Sequence, residues 1–284
     1  MFSRILLCGF LFFTSWVGSQ LLYEIKSKDG LKTSYLFGTI HLMPAEQFVI
    51  SPDLKKAFTT SSALAMEVDL NMDFSMKLDM ARASMLPDGQ TLKDFTTPQE
   101  FETLRQYCLN KKGMTQRKFN KYIRLKPFFF SSLLLQEDIK HSKSYELEFN
   151  KMAQKSEKKT MGLESISVQM ETINSVSIPN QVNMLMDGLS KPQEYDGMLN
   201  HYLMEDLNAL YQDIVEESKD FPFFVEHFLN KRNRQWIPVI ERQIDKEPTF
   251  IAVGAGHLPG EQGVVSLLSA KGYTLTPMFA FRRR

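Results

Sequence analysis

Two histidines each follow a glycine by three residues, directly after an apolar run of the chain. His41 follows Gly38 in YLFGTIHLMP, and His257 follows Gly254 in FIAVGAGHLPG. Neutral imidazole binds zinc, manganese, iron and cobalt, so two histidines in matching settings predict a metal site. The alternative is that both side chains form hydrogen bonds that brace the ends of two strands. One Gly-x-x-His alone would favour the alternative, and the repetition gives the metal site equal weight.

Two further stretches supply the carboxylates that such a site needs. Glu67 and Asp69 share one face of ALAMEVDL if that run is a strand, and Glu164 follows a strand-like run in MGLES. A carboxylate in an apolar stretch is costly to bury unless it is paired or bound to a cation. Two histidines and one or two glutamates around an ion with open coordination positions could activate water for hydrolysis. Otherwise Glu67 would pair with Arg232 or Arg234. Glu164 would then cap the helix that follows it.

The strand-like runs cluster at the two ends of the chain. LLYEIKS, TSYLFGTI and SALAMEVDL lie near the N-terminus, PTFIAVGAG and GYTLTPMFAF near the C-terminus, and KKTMGLES between them. We therefore predict an α/β (α+β) fold with a split central sheet built from N- and C-terminal strands. Ligands bind beyond the carboxyl ends of strands in such sheets, so His41 and His257 would share a crevice if their strands are neighbours. The repeated strand, Gly-x-x-His and following helix also suggest a pseudo-repeat.

The middle of the chain is predicted to be a large helical insertion or cap on this sheet. One helix begins with Ser51 as N-cap and Pro52 in the first turn, and another begins with a capping box over Thr97–Glu100. Helical periodicity extends over 76–85, 100–111, 122–140 with a break at Pro127, 145–156, 168–175, 194–217 and 223–244.

The composition is that of an ordinary globular protein. Of 284 residues, 43% are hydrophobic and 24% are charged, enough for one large domain or two modest ones. No linker rich in Gly, Ser or Pro divides the chain, so we predict a single domain over residues 21–284. The formal net charge of +1 argues against a nucleic-acid-binding protein, because such domains are usually strongly basic.

Residues 1–20, MFSRILLCGFLFFTSWVGSQ, have the pattern of a secretory signal peptide. Arg4 provides a positive start, an apolar run follows over 5–13, and Gly18 and Ser19 are the small residues near a cleavage site. The pattern predicts a periplasmic or secreted protein, with an uncleaved N-terminal anchor as the alternative. No second apolar stretch approaches the length of a membrane span, so no stable span is expected after signal cleavage.

Several motifs resemble those of the TraB/PrgY/GumN family, to which the animal Tiki metalloproteases are related. They are LFGTIH near the start, AMEVD, GLES and KRNRQW along the chain, and VGAGHLPGEQGVVSLLSAKGYTLTP near the end. The likeness extends from about Leu22 to the C-terminus, and its last motif is the most specific. The resemblance implies a split α/β core in which the two Gly-x-x-His motifs meet. For the Tiki branch it implies a peptidase that depends on a divalent metal such as manganese, cobalt or zinc.

The same resemblance implies a role for each motif residue. His41, Glu67 and His257 become candidate metal ligands, and Glu164 a further ligand or general base. Arg232 and Asn233 would orient the substrate or an oxyanion.

Our leading hypothesis is an exported metal-dependent hydrolase that acts on a peptide or protein. Glu164 or Glu67 would take the proton from the attacking water, and Arg232 would stabilise the developing negative charge. The alternative function is a non-catalytic binding protein that sequesters a peptide signal or an iron-containing ligand in the same crevice. A third possibility is a structural protein in which the histidines only brace the strand ends.

Overall fold

A computed structural model describes residues 20–139, 141–191 and 194–281. Most of the predicted signal peptide lies outside these residues, so that prediction and the division at residue 20 stay predictions. The described strands are β1 (Leu22–Lys26), β2 (Thr33–Thr39), β3 (Met43–Pro44), β4 (Ala63–Met66), β5 (Ser142–Lys143), β6 (Lys159–Gly162), β7 (Thr249–Gly254) and β8 (Thr274–Met278).

Six of these strands form a mixed central sheet in the order β6-β4-β7-β2-β1-β8, while β3 and β5 pair with each other. The neighbours β6, β4, β7 and β2 are parallel, and β1 is antiparallel to both β2 and β8. The predicted fold class, with strands from both ends of the chain in one sheet, is confirmed. The two short strands β3 and β5 were not predicted, because two residues are too few to show an alternating pattern.

The strands that precede the two histidines are direct neighbours. In the parallel pairing of β2 with β7, Gly38 lies opposite Val253 and Thr39 lies opposite Gly254. Strand β7 lies between two parallel neighbours and is buried up to its last residue, as the unbroken apolar run TFIAV requires. The crevice expected at the carboxyl ends of these strands therefore receives both Gly-x-x-His motifs.

The antiparallel strand β1 brings further parts of the chain to that same edge of the sheet. Its first residue, Leu22, lies opposite Phe37 near the end of β2 and opposite Met278 at the end of β8. The backbone of Leu21 also accepts a hydrogen bond of 2.8 Å from Gly38 N–H.

Helices connect and cover the strands in the described residues. They are α1 (Pro52–Thr60), α2 (Phe74–Ala83), α3 (Pro98–Gln106), α4 (Gln116–Tyr122), α5 (Pro127–Asp138), α6 (Tyr145–Lys155), α7 (Ile166–Asn174), α8 (Ile178–Ser190), α9 (Glu194–Leu203), α10 (Leu207–Glu217), α11 (Lys231–Lys246) and α12 (Val264–Ala270). π-helical turns, Tyr107–Lys111 and Val225–Asn230, follow α3 and precede α11. None of these helices has the length and apolar character needed to cross a membrane.

The predicted helix starts are observed, but three parts of the helical pattern differ, and one of them is α4 (Gln116–Tyr122), which was not predicted. Ser51 caps α1, and Thr97 with Glu100 forms the capping box of α3. The single helix predicted over 194–217 is two helices, because Glu205 between them takes a left-handed conformation with φ 57°. Helix α8 was not predicted, although Ser177 before it is an N-cap whose side chain accepts from Asn180 N–H.

Apolar side chains cover the sheet and fill a separate cluster in the helical middle. Phe58 of α1, Phe149 of α6 and Trp236 of α11 are buried in the core that contains the strands. The second cluster contains Leu104, Cys108 and other helical residues. Strand β7 is buried on both faces by this packing. The strand end that leads to His257 is therefore held in a fixed position.

Candidate functional site

Four predicted site residues follow the four parallel strands of the sheet. In sheet order, Glu164 follows β6, Glu67 follows β4, His257 follows β7 and His41 follows β2. Carboxyl ends of parallel strands point to one edge, so this topology brings the four together. The structure thus supplies the adjacency on which the predicted site depends.

His257 is buried and its ring is held by the side chain of Asn233. The Nδ1 atom of His257 lies 2.6 Å from Asn233 Oδ1, while the Asn233 amide nitrogen donates to the carbonyls of His257 at 3.2 Å and Gln262 at 2.8 Å. Because the amide nitrogen is used in this way, Asn233 Oδ1 must accept, and His257 Nδ1 carries the proton. Burial lowers the pKa of His257 to about 3, so its Nε2 carries no proton at neutral pH and accepts from Arg232 Nη1 at 3.2 Å.

Glu67 faces the same nitrogen of His257 from the neighbouring strand. Its Oε1 lies 3.7 Å from His257 Nε2 and accepts a hydrogen bond of 2.8 Å from Gly254 N–H. Its Oε2 accepts from Arg232 Nη2 at 2.6 Å. Burial alone would raise the pKa of Glu67, but the neighbouring His257 and Arg232 outweigh burial and lower that pKa to about 2.

Gly254 allows this close approach. A Cβ atom at that position would lie 3.2 Å from Glu67 Oε1, 3.5 Å from His257 Cδ2 and 3.9 Å from His41 Nε2. The three candidate ligands therefore surround the space above Gly254. A side chain at position 254 would occupy that space.

Arg232 joins the two glutamates and is itself buried. It donates to Glu164 from Nε and Nη2, at 3.1 and 2.6 Å to Oε1, and Glu164 Oε2 also accepts from Trp236 Nε1 at 3.0 Å. Its Nη1 lies 3.2 Å from His257 Nε2. The ion pair between Glu67 and Arg232, expected from the sequence if Glu67 is a paired buried carboxylate, is thus observed.

Two contacts that would have given these glutamates a purely structural role are not formed. Arg234 pairs with Glu226 and not with Glu67. The helix after Glu164 is capped by Ser165, whose side chain accepts from Val168 N–H.

His41 differs from His257 in that its side chain is 70% exposed. Its Nδ1 lies 2.9 Å from Oε1 of Glu146, in the first turn of α6. Glu146 also accepts from Thr39 Oγ1 at 2.5 Å and from Ser144 Oγ at 2.6 Å. The carboxylate of Glu146 raises the pKa of His41 to about 9 in the metal-free chain. A metal ion would therefore have to displace a proton from His41.

Glu146 was missed in the sequence. Its only sequence signal, an acidic residue after the N-cap Ser144, is typical of any helix start. Only the packing of α6 against the sheet brings Glu146 to a histidine 105 positions away.

Both imidazoles share one arrangement that suits metal binding. Each Nδ1 is held by a side-chain oxygen, from Glu146 for His41 and from Asn233 for His257. His41 Nε2 would lie 3.9 Å from a Cβ atom on Gly254, and His257 Nε2 lies 3.7 Å from Glu67 Oε1. Outer partners of this kind commonly orient histidine ligands of metals.

The donors fit a divalent ion in type but are not drawn together around one point. Within the described ranges, no group of three or more His, Cys, Asp or Glu side chains is arranged to hold a metal ion. His257 and Glu67 already lie close, whereas coordination by His41 needs a turn of its exposed side chain. Arg232 would also have to give up its contact with His257 Nε2.

Two cavities meet at the histidines. One, of about 780 Å³, is lined by His41 and His257 together with largely apolar side chains. The other, of about 560 Å³, is lined by the same histidines and by the charged groups of Glu67, Glu146 and Arg232. The candidate centre is thus accessible from a crevice with one uncharged side and one charged side.

Two other histidines have partners of their own. The Nδ1 of His201 lies 2.6 Å from Asp213, and that of His227 lies 3.1 Å from Ser175 Oγ. Neither residue lines the two cavities at the candidate centre.

The fold and the site together define an α/β protein with a buried ionic cluster and paired histidines at the carboxyl ends of its parallel strands. The chain belongs to the TraB/PrgY/gumN family, which it matches over residues 21–277. The resemblance inferred from the motifs is therefore confirmed.

Curated relatives of the chain are named metalloproteases. Metalloprotease TIKI2 of Xenopus tropicalis is 24% identical over 299 residues, covering 84% of this chain and 57% of that protein. Metalloprotease TIKI1 of Danio rerio is 23% identical over 296 residues (84% and 60%), and Metalloprotease TIKI1 of Homo sapiens is 22% identical over 305 residues (84% and 59%). The chain thus spans less than two thirds of the length of these relatives. No solved structure matches it significantly.

Proposed function

We propose that this protein is a hydrolase that depends on a divalent metal and cleaves peptides, with His41, Glu67 and His257 as the metal ligands. The observation that carries the proposal is the pair of imidazoles beside Glu67 and Gly254, each held at Nδ1 by a side-chain oxygen. The names of the relatives support the same activity, at identities of 21–24%. Manganese, cobalt and zinc all suit two histidines and a carboxylate.

A divalent ion at this position would supply Lewis-acid activation of a carbonyl group and of water. The protein's own part is to hold the donors and to orient the substrate. Asn233 keeps His257 in the tautomer whose Nε2 carries no proton, and Glu146 holds Nδ1 of His41, whose Nε2 proton a metal ion would displace. Arg232, buried beside them, is placed to stabilise negative charge that develops on the substrate.

Hydrogen bonding separates the roles of the two glutamates and favours Glu67, not Glu164, as the carboxylate that binds the metal. A carboxylate has about four lone-pair sites, and Glu164 uses its oxygens for Arg232 and for Trp236 Nε1. Glu67 Oε1 accepts from Gly254 N–H and otherwise faces His257. In our proposal Glu164 therefore positions Arg232.

Metal content tests the centre directly. The purified chain is incubated with manganese, cobalt or zinc in turn, and bound metal is measured by mass spectrometry beside His41→Ala and His257→Ala. We expect close to one ion per chain in the wild type and loss of metal in both variants. His201→Ala is the matched control, because His201 also pairs with a carboxylate but lies outside the site. A folded wild type that binds none of the three metals would exclude the metallohydrolase.

Glu164→Gln tests which role Glu164 has in the proposed hydrolase. The variant keeps the shape of the side chain, so we expect peptide turnover to fall but not to vanish if Glu164 only positions Arg232. Complete loss of turnover with retained peptide binding would make Glu164 the base.

The rival function, a binding protein that sequesters a peptide or an iron-containing ligand, is favoured by the engagement of all three carboxylates of the site in hydrogen bonds. Hydrolysis requires one of them to accept a proton. A protein that binds peptides but never cleaves them, or that carries a ligand absorbing visible light, would support this rival.

Export to the periplasm or to the outside of the cell completes the proposal. It rests on the signal-peptide pattern of residues 1–20. N-terminal sequencing of the protein recovered from each cell fraction tests it. A mature chain that begins near residue 20 is expected, and an intact N-terminus in the membrane fraction would show an anchor.

A further inference from the structure

The larger cavity at the histidines is largely apolar, and its polar side chains are two histidines, Gln136 and a few hydroxyl groups. None of the described residues that line it is Asp, Glu, Lys or Arg, and its walls come from α5, α9, α10 and the segment before α11. Typical wall residues are Phe129, Leu133, Met198, Ile214 and Leu229. A volume of about 780 Å³ lies within the range of cavities that bind whole small molecules and exceeds what one small side chain fills.

The hydroxyl groups in this lining are already used by the protein. Tyr195 donates to the carbonyl of Leu42 at 2.5 Å, and Tyr202 donates to the carbonyl of Gly38 at 2.9 Å. Ser132 donates to the carbonyl of its own helix at 3.1 Å. Apart from Gln136 and the two histidines, the lining therefore offers few side-chain partners to a charged or strongly polar group that loses its hydration here.

The floor of the cavity is built for close apolar contact. A Cβ atom on Gly256 would lie 2.7 Å from Ile214 Cδ1, so the glycine lets that side chain close over the backbone. Residues 254–257 all line this floor, and they include Gly254 and His257 of the candidate centre. The cavity is therefore continuous with the candidate centre.

We infer that this cavity is the subsite for a bulky apolar side chain of the peptide substrate, within two residues of the bond that is cleaved. The inference rests on the proposed function. An extended peptide that crosses the histidines would place one apolar side chain in the uncharged cavity. Its polar backbone would lie beside the charged groups of Glu67, Glu146 and Arg232 in the neighbouring cavity.

Peptide binding without turnover gives the first test. Fluorescein-labelled decapeptides that differ only in one central residue, Phe, Ala, Asp or Lys, are titrated against the metal-free full chain in EDTA, with fluorescence polarisation as the readout. Burial of a phenylalanine side chain predicts binding of the Phe peptide about tenfold tighter than that of the Ala peptide. Equal affinities for all four peptides, or no binding, would overturn the inference.

Helix α2 offers a matched pair of variants for the second test. Met80 and Leu78 are both 39% exposed, but only Met80 lines the cavity. Helix α2 contains no buried residue, so neither Met80→Asp nor Leu78→Asp removes a core contact. We expect Met80→Asp to weaken the Phe peptide about tenfold and to favour the Lys peptide, because it places a carboxylate in an uncharged cavity. Leu78→Asp should behave as the wild type, and an equal effect of both variants would contradict the subsite.

The two proposals fail in different ways. A preference for the Phe peptide in EDTA, with no metal bound and no cleavage, would exclude the hydrolase and retain the apolar subsite. Bound metal with cleavage that ignores the central residue, mapped by mass spectrometry of the products, would retain the hydrolase and exclude the subsite.

Discussion

The two halves of the candidate centre are held in different ways. His257 is buried among Asn233, Arg232, Glu67 and the ring of Trp236, whose centroid lies 4.5 Å from that of the imidazole. His41 has one side-chain partner, Glu146, and most of its side chain is exposed. One histidine is thus fixed when the chain folds, whereas the other is restrained by a single contact. If the proposed centre binds a metal ion or a substrate, the comparison predicts that binding changes the position of His41 more than that of His257.

Removal of Arg232 should lower the free energy of unfolding more than any other substitution considered, because Arg232 belongs to the buried half of the centre that contains His257. Arg232→Met leaves the buried carboxylates of Glu67 and Glu164 without their cation, and loss of one partner of a buried ion pair costs about 3–5 kcal/mol. Urea unfolding of the metal-free protein measures the change.

The control for that variant is Arg234→Met, two residues along the same helix. Arg234 pairs with Glu226 at the surface, so its loss should cost at most about 1 kcal/mol. Equal effects of the two substitutions would show that the buried cluster contributes no special stability.

Removal of the outer partners tests each half separately. Asn233→Ala and Glu146→Gln should each lower metal affinity by about 10–100-fold, because each releases the Nδ1 of one histidine. Asn233→Ala should reduce the free energy of unfolding more than Glu146→Gln does, by about 1–3 kcal/mol, because it leaves the buried His257 Nδ1–H unpaired. Metal titration and urea unfolding measure both effects. Glu148→Gln on the same helix as Glu146 is the control and should change neither quantity by much.

A methyl group on Gly254 should have a smaller effect that is confined to binding. Gly254→Ala places a Cβ atom 3.2 Å from Glu67 Oε1, and the residue has φ −51°, which alanine adopts freely. We expect metal affinity to fall several-fold while the fold persists. Gly188→Ala in α8 meets no atom within 4 Å and should stabilise the protein by up to about 1 kcal/mol. An unchanged metal affinity in Gly254→Ala would place the ion elsewhere.

The pH dependence of the metal-free chain should show the same contrast between the two histidines. The folded pKa of His41 is raised to about 9, so its contribution is complete below the unfolded pKa near 6.5 and is lost as the pH rises towards 9. The folded pKa of His257 is lowered to about 3, so its burial opposes folding increasingly as the pH falls below about 6.5. NMR titration of the imidazoles in EDTA measures both. Similar midpoints for the two histidines would contradict the difference between the halves.

The sequence predicted the sheet because the signals of its strands are local. The meeting of the two motifs was predicted only on the condition that their strands are neighbours, and the family resemblance implied it. Apolar runs that end on glycine identify strands, and the carboxyl ends of parallel strands converge wherever the helices between them lie. It did not predict Glu146, since nothing in the sequence near a helix start points to a histidine far away. The bidentate contact of Arg232 with Glu164 also depends on how α11 packs across the sheet, which no local pattern determines.

The position of β1 has a practical consequence for experiments on metal content. Leu22 at the start of β1 and Met278 at the end of β8 lie opposite each other, at the edge of the sheet that carries the candidate centre. A polyhistidine tag on either side of the folded chain would therefore begin close to His41 and His257, where it could capture the added ion or offer spare imidazoles to it. The tag should therefore be cleaved off before any metal is added, so that metal bound to the tag is not counted as metal bound to the candidate centre.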